Sequence, residues 1–266
     1  MELFFRSFGE GFPLVILHGL YGASDNWISI AKRIADTYTV YLPDLRNHGQ
    51  SPHSDIMDFD SMSDDIYELV NKLKLKRFYL VGHSMGGRVA MTFALKWPDL
   101  LSGLLIADIP PFTNERKKQA FFSGHSTILN SMLSLDVSSI SSREQADREL
   151  SEQINSANTR NFILKNLQKD TTGSGFKWKL NVKALSDNFD KIIHGLETVK
   201  LRYLKATGFP VVFLKGGLSE YIGIEDFRSI RSLFPDAKII EVPGASHWLH
   251  AEKPEEIAGH IRRLSE

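Results

Sequence analysis

The chain has 266 residues, 42% of them apolar and 24% charged, enough to bury a sizeable core without covalent staples. Its 32 basic and 32 acidic residues cancel, so neither nucleic acid nor an anionic membrane is an expected partner. Cysteine is absent, which excludes disulfides and thiolate chemistry.

The opening "MELFFRSFGEGFPLVILHG" lacks a basic segment, a long apolar run and a small-residue cleavage site, so no signal peptide is read and a cytoplasmic location is expected. No window approaches the roughly 20 apolar residues of a spanning helix. Six near-continuous apolar runs follow in order: 14–18, 39–43, 77–82, 102–108, 210–216 and 237–243. Such runs suit parallel strands covered on both faces. Amphipathic segments separate them. Ser61 to Lys74 carries Ile66, Leu69, Val70 and Leu73 on one stripe, Met85 to Trp97 stops at Pro98, Glu225 to Phe234 stops at Pro235, and Pro254 opens a final helix at a favoured first position. The alternation predicts an α/β fold with a mostly parallel central sheet and helices on both faces.

The pattern breaks after residue 111. Segments 114–133, 143–168 and 181–204 read as helices, with a flexible break at 170–175. We expect a core built from 1–111 and 206–266, with 112–205 inserted as a helical cap over the C-terminal edge of the sheet.

Three stretches carry residues suited to chemistry. "LVGHSMGGRVA" contains the pattern G-x-S-x-G from Gly82 to Gly86, between an apolar strand and a helix. A turn that tight needs glycine on either side and lifts the Ser84 hydroxyl to the helix N-terminus, where it is placed as a nucleophile. "LHGLYG" (17–22) follows the first long strand. Its backbone is positioned to face that serine, making the amides of Leu20 and Met85 the expected oxyanion donors. His18 reads as a loop-ordering residue. "VPGASHWLHAEKPEEI" (242–257) offers His247 as the base, with His250 as the competitor. Arg88 is a candidate site-edge cation, but an ordinary helix-surface role suits it better.

With "HGLYG", "DLRNHGQS" (44–51), "GHSMGG" and "GASHWLHAEKP" in this order, the chain resembles the α/β-hydrolase fold superfamily. The resemblance implies a Ser–acid–His order. It makes Ser84 the nucleophile and His247 the base, and gives Asp44 and Arg46 a structural role. In most members the acid lies three residues after the glycine of the strand that here is "PVVFLKG". That position holds Ser219, with Glu220 beside it. The alternative is Asp108, in "LLIADIPPF". Aspartate there and serine at the usual acid position together resemble small bacterial acyl-ester hydrolases of the YbfF type. On that likeness Asp108 is the expected acid, with Ser219 and Glu220 as possible auxiliaries. Ser219 bonding His247 while Asp108 supplies charge is a further arrangement of the same residues.

The expected activity is therefore hydrolysis of small carboxylic esters, including thioesters, through an acyl-enzyme on Ser84, with neither metal nor organic cofactor. Tyr21, Phe112, Phe122 and Trp178, with Phe121 and Phe162, are candidate walls of an acyl pocket. A C–C bond hydrolase or a perhydrolase uses the same triad, and a ligand-binding member of the fold uses the pocket without turnover.

Overall fold

The apolar runs become central strands because a strand covered on both faces has no polar side to present. The computed structural model describes residues 1–171, 173–196 and 204–265. Its strands are β1 (Phe5–Phe8), β2 (Phe12–Leu17), β3 (Tyr38–Pro43), β4 (Phe78–His83), β5 (Leu101–Ala107), β6 (Leu167–Lys169), β7 (Phe176–Trp178), β8 (Val211–Gly216) and β9 (Lys238–Val242). Seven form one sheet in the order β1-β3-β2-β4-β5-β8-β9. The β1 strand pairs antiparallel with β3, and every other neighbouring pair in this sheet is parallel. The parallel strands therefore deliver their C-terminal loops to one edge, where ligand sites of open α/β sheets gather.

Side chains along β2 alternate between two cores. Val15 and Leu17 pack on one face of the sheet, Leu14 and Ile16 on the other. The first face is covered by α2 (Phe59–Lys72) and α3 (Met85–Lys96), through Ile66, Val70, Val89 and Phe93. The second is covered by α1 (Ile28–Ile34) and a C-terminal helix, 254–262, through Ile30, Ile34, Ile257 and Ile261. The Asp58 side chain caps α2 by accepting from the Ser61 amide at 2.7 Å.

Between β5 and β8 the chain forms α4 (Glu115–Ser134), α5 (Arg143–Ser151), α6 (Ala157–Leu164), α7 (Val182–Asp187) and α8 (Phe189–His194). Two features depart from the sequence reading. The segment read as one helix over 143–168 is α5 and α6 with a turn between them. Its last residues enter β6, which pairs antiparallel with β7 across the break at 170–175. The helix read over 181–204 is divided into α7 and α8, and its last part, 197–203, lies outside the described residues.

The two ends of this insertion are stitched together. Phe112 bridges Gly195, the Thr113 amide donates to His194 O at 3.1 Å, and the Leu196 amide to Pro111 O at 3.0 Å. Arg88 lies across the join. It is not on the helix surface but 3% exposed, donating to the carbonyls of Pro110 (3.1 Å), Ile192 (2.9 Å) and Ile193 (3.2 Å) and to Thr113 Oγ1 (2.7 Å). Burial pushes its guanidinium down to about 10.

After β8 come α9 (Phe227–Leu233), α10 (Leu249–Glu252) and α11 (Pro254–Arg262). Among the described residues, no helix is long and apolar enough to cross a membrane.

Candidate active site

Ser84 sits between β4 and α3 with φ 52° and ψ −123°, a conformation an L-residue holds only under constraint. The two flanking glycines make the turn possible. A Cβ on Gly82 would stand 2.4 Å from Gly86 O, and one on Gly86 would stand 2.4 Å from His18 O. The Ser84 amide is held by Ala107 O of the neighbouring strand at 3.0 Å.

Asp108 ends β5 in a second left-handed backbone, φ 54°, and is fully buried. Its amide donates to Leu214 O at 2.8 Å. Its Oδ1 accepts from the Gly216 amide at 3.0 Å, and its Oδ2 lies 2.8 Å from His247 Nδ1. A carboxylate only accepts, so Nδ1 carries the proton and Nε2 presents its lone pair. That Nε2 is 3.0 Å from Ser84 Oγ. Ser84, His247 and Asp108 thus form one hydrogen-bonded chain across three loops at the C-terminal edge.

Ser219 belongs to this network through Asp108 rather than through a hydrogen bond to the histidine. Its hydroxyl donates to Asp108 Oδ2 in a short hydrogen bond, and its oxygen accepts from the Tyr221 amide at 3.2 Å. Glu220 is exposed. Tyr221 stacks on the His247 imidazole, with ring centroids 3.7 Å apart and planes within 12°, and Phe121 stacks on the far side of Tyr221 at 4.4 Å. The competitor His250 makes no hydrogen bond to Ser84 or Asp108. It is buried against Trp27, centroids 4.7 Å apart, and burial, helped by nearby His247 and Lys165, pushes it down to about 3.

The loop of residues 18–22 closes over Ser84. A Cβ on Gly19 would lie 3.0 Å from His83 Nδ1 and 3.2 Å from Ser84 Cβ, so glycine leaves room where a larger residue would press on both. His18 orders the loop. Its Nε2 accepts from the Leu45 amide at 2.9 Å, which leaves Nδ1–H to donate to Gly19 O at 2.8 Å. Asp44 ties the neighbouring loop, accepting from the amides of Ser24 (2.6 Å) and Gln50 (2.9 Å), and Arg46 forks onto Asp65 (2.6 and 2.8 Å). Met85 is the first residue of α3, so its amide has no acceptor inside the helix.

Two lobes of a cavity meet at Ser84. The larger, about 210 Å³, is walled by Trp27, His83, Phe162, Trp248 and His250. The smaller, about 40 Å³, is walled by Met85, Arg88, Ile109, Phe121, Phe189 and Ile193. Leu20, Ser84, His125 and Tyr221 border both. Four expected wall residues are elsewhere. Phe112 is used in the bridge to Gly195. Phe122 is 42% exposed and borders a surface groove. Trp178 belongs to β7 and turns to α4, its Nε1 donating to Met132 O at 3.2 Å. Tyr21 stands behind His125, bonded to it, and borders a separate polar groove. Phe121 and Phe162 do line the lobes. His125 and Tyr221 were not anticipated. Tyr221 follows Ser219 by two residues and was within reach of the same loop argument. A single histidine in α4 gives no signal. Among the described residues, no three His, Asp or Glu side chains are grouped as a metal would require.

Residues 13–254 match the family described as alpha/beta hydrolase fold. The chain belongs to the α/β-hydrolase family. Within that family it is 36% identical over 248 residues to a zebrafish (Danio rerio) protein named sn-1-specific diacylglycerol lipase ABHD11, covering 92% of this chain and 76% of that protein. It is 28% identical over 251 residues to Esterase YbfF of Escherichia coli (strain K12), covering 94% and 92%. A solved structure titled Marine microorganism esterase superposes with a TM-score of 0.93 at 40% identity, covering 99% of each chain. The likeness to YbfF-type esterases read from Asp108 and Ser219 therefore extends through the chain.

Proposed function

We propose that this ester hydrolase cleaves small carboxylic esters, thioesters included, through an acyl-enzyme on Ser84. The observation that carries the reading is the unbroken chain Ser84 Oγ–His247 Nε2 (3.0 Å) and His247 Nδ1–Asp108 Oδ2 (2.8 Å), opening on a cavity. Ser84 Oγ attacks the acyl carbon as His247 Nε2 takes its proton. Asp108 keeps the imidazole in the tautomer that accepts and stabilises the imidazolium that results. The amides of Leu20 and Met85 receive the developing oxyanion. His247 returns the proton to the departing alcohol or thiol, and water then attacks the acyl-enzyme by the same route.

The insertion of 112–205 acts as a cap in this reading, since Phe121, His125, Phe162 and Phe189 from it wall the lobes. The small lobe suits a short acyl group and the larger one the leaving group. The test is hydrolysis of p-nitrophenyl acetate, butyrate and octanoate by wild type and Ser84→Ala. Turnover is expected to vanish in Ser84→Ala with the circular dichroism spectrum unchanged, and retained hydrolysis in that variant removes Ser84 from the mechanism.

A further inference from the structure

His125 lies on α4, outside every motif of the sequence, yet it borders both lobes together with Ser84, Leu20 and Tyr221. The junction of the lobes is where the reacting carbonyl must sit for Ser84 to reach it. The imidazole is fixed from behind. Its Nδ1 is 3.3 Å from Tyr21 Oη, its ring lies against those of Tyr21 and Phe189 at centroid distances of 5.7 and 5.6 Å, and Tyr21 itself is 4% exposed.

Tyr21 is in turn held firmly. Its backbone is left-handed at φ 61°, its amide donates to His48 Nε2 at 3.3 Å, and its carbonyl accepts from Asn166 Nδ2 at 2.8 Å. The buried phenol must place its one proton, and among the described residues its hydrogen-bond partner is His125 Nδ1. A phenol is the stronger donor and a neutral imidazole nitrogen the stronger acceptor, so Oη–H donates to Nδ1. The imidazole proton then resides on Nε2. Burial pushes His125 down to about 4, so it stays neutral at ordinary pH. Among the described residues Nε2 has no hydrogen-bond partner, and the ring borders the cavity.

We propose that His125 Nε2–H is a side-chain donor to an oxygen of the ester group bound at Ser84, with its tautomer set by Tyr21. This rests on the reading of Ser84 as nucleophile. No proton moves in the step: the donor strengthens its hydrogen bond as negative charge gathers on the reacting group, and a neutral donor needs no counter-ion to stay buried. His125 is then the one catalytic contact contributed by α4, and it links a correctly seated helix to a competent site.

Two measurements test it. In the first, wild type, His125→Leu, His125→Gln and Tyr21→Phe are compared on p-nitrophenyl acetate. The expected result is a fall in kcat of about 10- to 100-fold in His125→Leu with KM little changed, and substantial recovery in His125→Gln, whose amide nitrogen can occupy the place of Nε2. Tyr21→Phe is expected to lie between. A change in KM alone, or equal loss in the Leu and Gln variants, overturns the proposal. The second reads the tautomer directly by ¹⁵N NMR of the histidine rings. Wild type is expected to show His125 protonated at Nε2, with Tyr21→Phe giving a mixture. Protonation at Nδ1 in wild type overturns the proposal. The NMR result does not depend on turnover, so failure of Ser84 as nucleophile is distinguishable from failure of His125 as donor.

Discussion

Asp108 reaches His247 from the end of β5, with Oδ2 2.8 Å from Nδ1, while the loop after β8 supplies only a hydroxyl, from Ser219, to the same carboxylate oxygen. On the proposed mechanism the acid therefore stands at the end of β5 and not in the loop after β8. Replacing Asp108 by Asn leaves a group that can present an N–H to Nδ1 and so stabilise the wrong tautomer. We expect kcat on p-nitrophenyl acetate to fall by about 10³- to 10⁴-fold. Glu220→Gln, at an exposed position, is expected to stay within about twofold of wild type, as surface changes of under about 0.5 kcal/mol do. A larger loss in Glu220→Gln than in Asp108→Asn would return the acid to the later loop.

Ser219→Ala tests the supporting hydroxyl. Asp108 keeps the Gly216 amide and His247 but loses one charge-assisted bond, of the kind worth about 1.5–3 kcal/mol. We expect kcat to fall roughly tenfold with KM steady, measured on the same ester. An unchanged kcat shows the hydroxyl to be mere packing.

Gly86→Ala probes the turn itself. The added methyl would enter the carbonyls of Leu17 and His18, 2.5 and 2.4 Å from the Cβ position, and backbone yields little. Stability to urea is expected to drop by about 1–3 kcal/mol, as overpacking typically costs. Activity should drop with it. A variant as stable as wild type would show that β2 and α3 are less tightly apposed.

Arg88→Met removes four hydrogen bonds at the join of the insertion while keeping much of the apolar stem. The carbonyls of Pro110, Ile192 and Ile193 lose a buried donor, so we expect a destabilisation of about 2–4 kcal/mol by urea titration. An effect below about 0.5 kcal/mol would mean that the Phe112–Gly195 bridge alone holds the neck.

Acid should weaken the fold well before carboxylates titrate. His48 and His250 are held neutral by burial, each pushed down to about 3, with His18 adding to the effect on His48. Unfolded, each would take up a proton near pH 6.5. Between those values the unfolded chain binds more protons, so stability rises with pH there. The contribution is complete above about pH 6.5 and is lost progressively toward the folded value. Urea midpoints at pH 7.5, 5.5 and 4.5 should therefore decrease in that order, and His250→Gln should flatten part of the slope. A flat profile across this range would falsify neutral burial of these two rings.

Legibility followed distance along the chain. Gly82, Ser84 and Gly86 are local, and the turn they dictate is a property of five residues. His247 was legible because one loop had to bring a histidine to the edge where Ser84 stands. Asp108 was different: nothing in its own stretch separates a strand-end aspartate from a site residue, and the family likeness drew attention to it. Arg88 was misread because three of its four partners are carbonyls, two of them more than a hundred residues away, and carbonyls leave no mark in a sequence. The hairpin of β6 and β7 was missed since strands of three residues carry too short an alternation to read. His125 acquires its meaning from Tyr21, which the fold alone brings to it.

The neck of the insertion has a mechanical consequence. Asp108 is moored on one side by Leu214 and Gly216, and the chain then runs through Ile109 into the buried pair Pro110 and Pro111 before the first inserted residue. Proline fixes φ, so this short tether is stiff. Arg88 fastens it to α3, the helix that also begins at the serine. Any displacement of the inserted helices would have to pass through this fastened tether to reach the carboxylate. On the proposed mechanism, a shift of the residues covering the cavity would leave Ser84, His247 and Asp108 aligned.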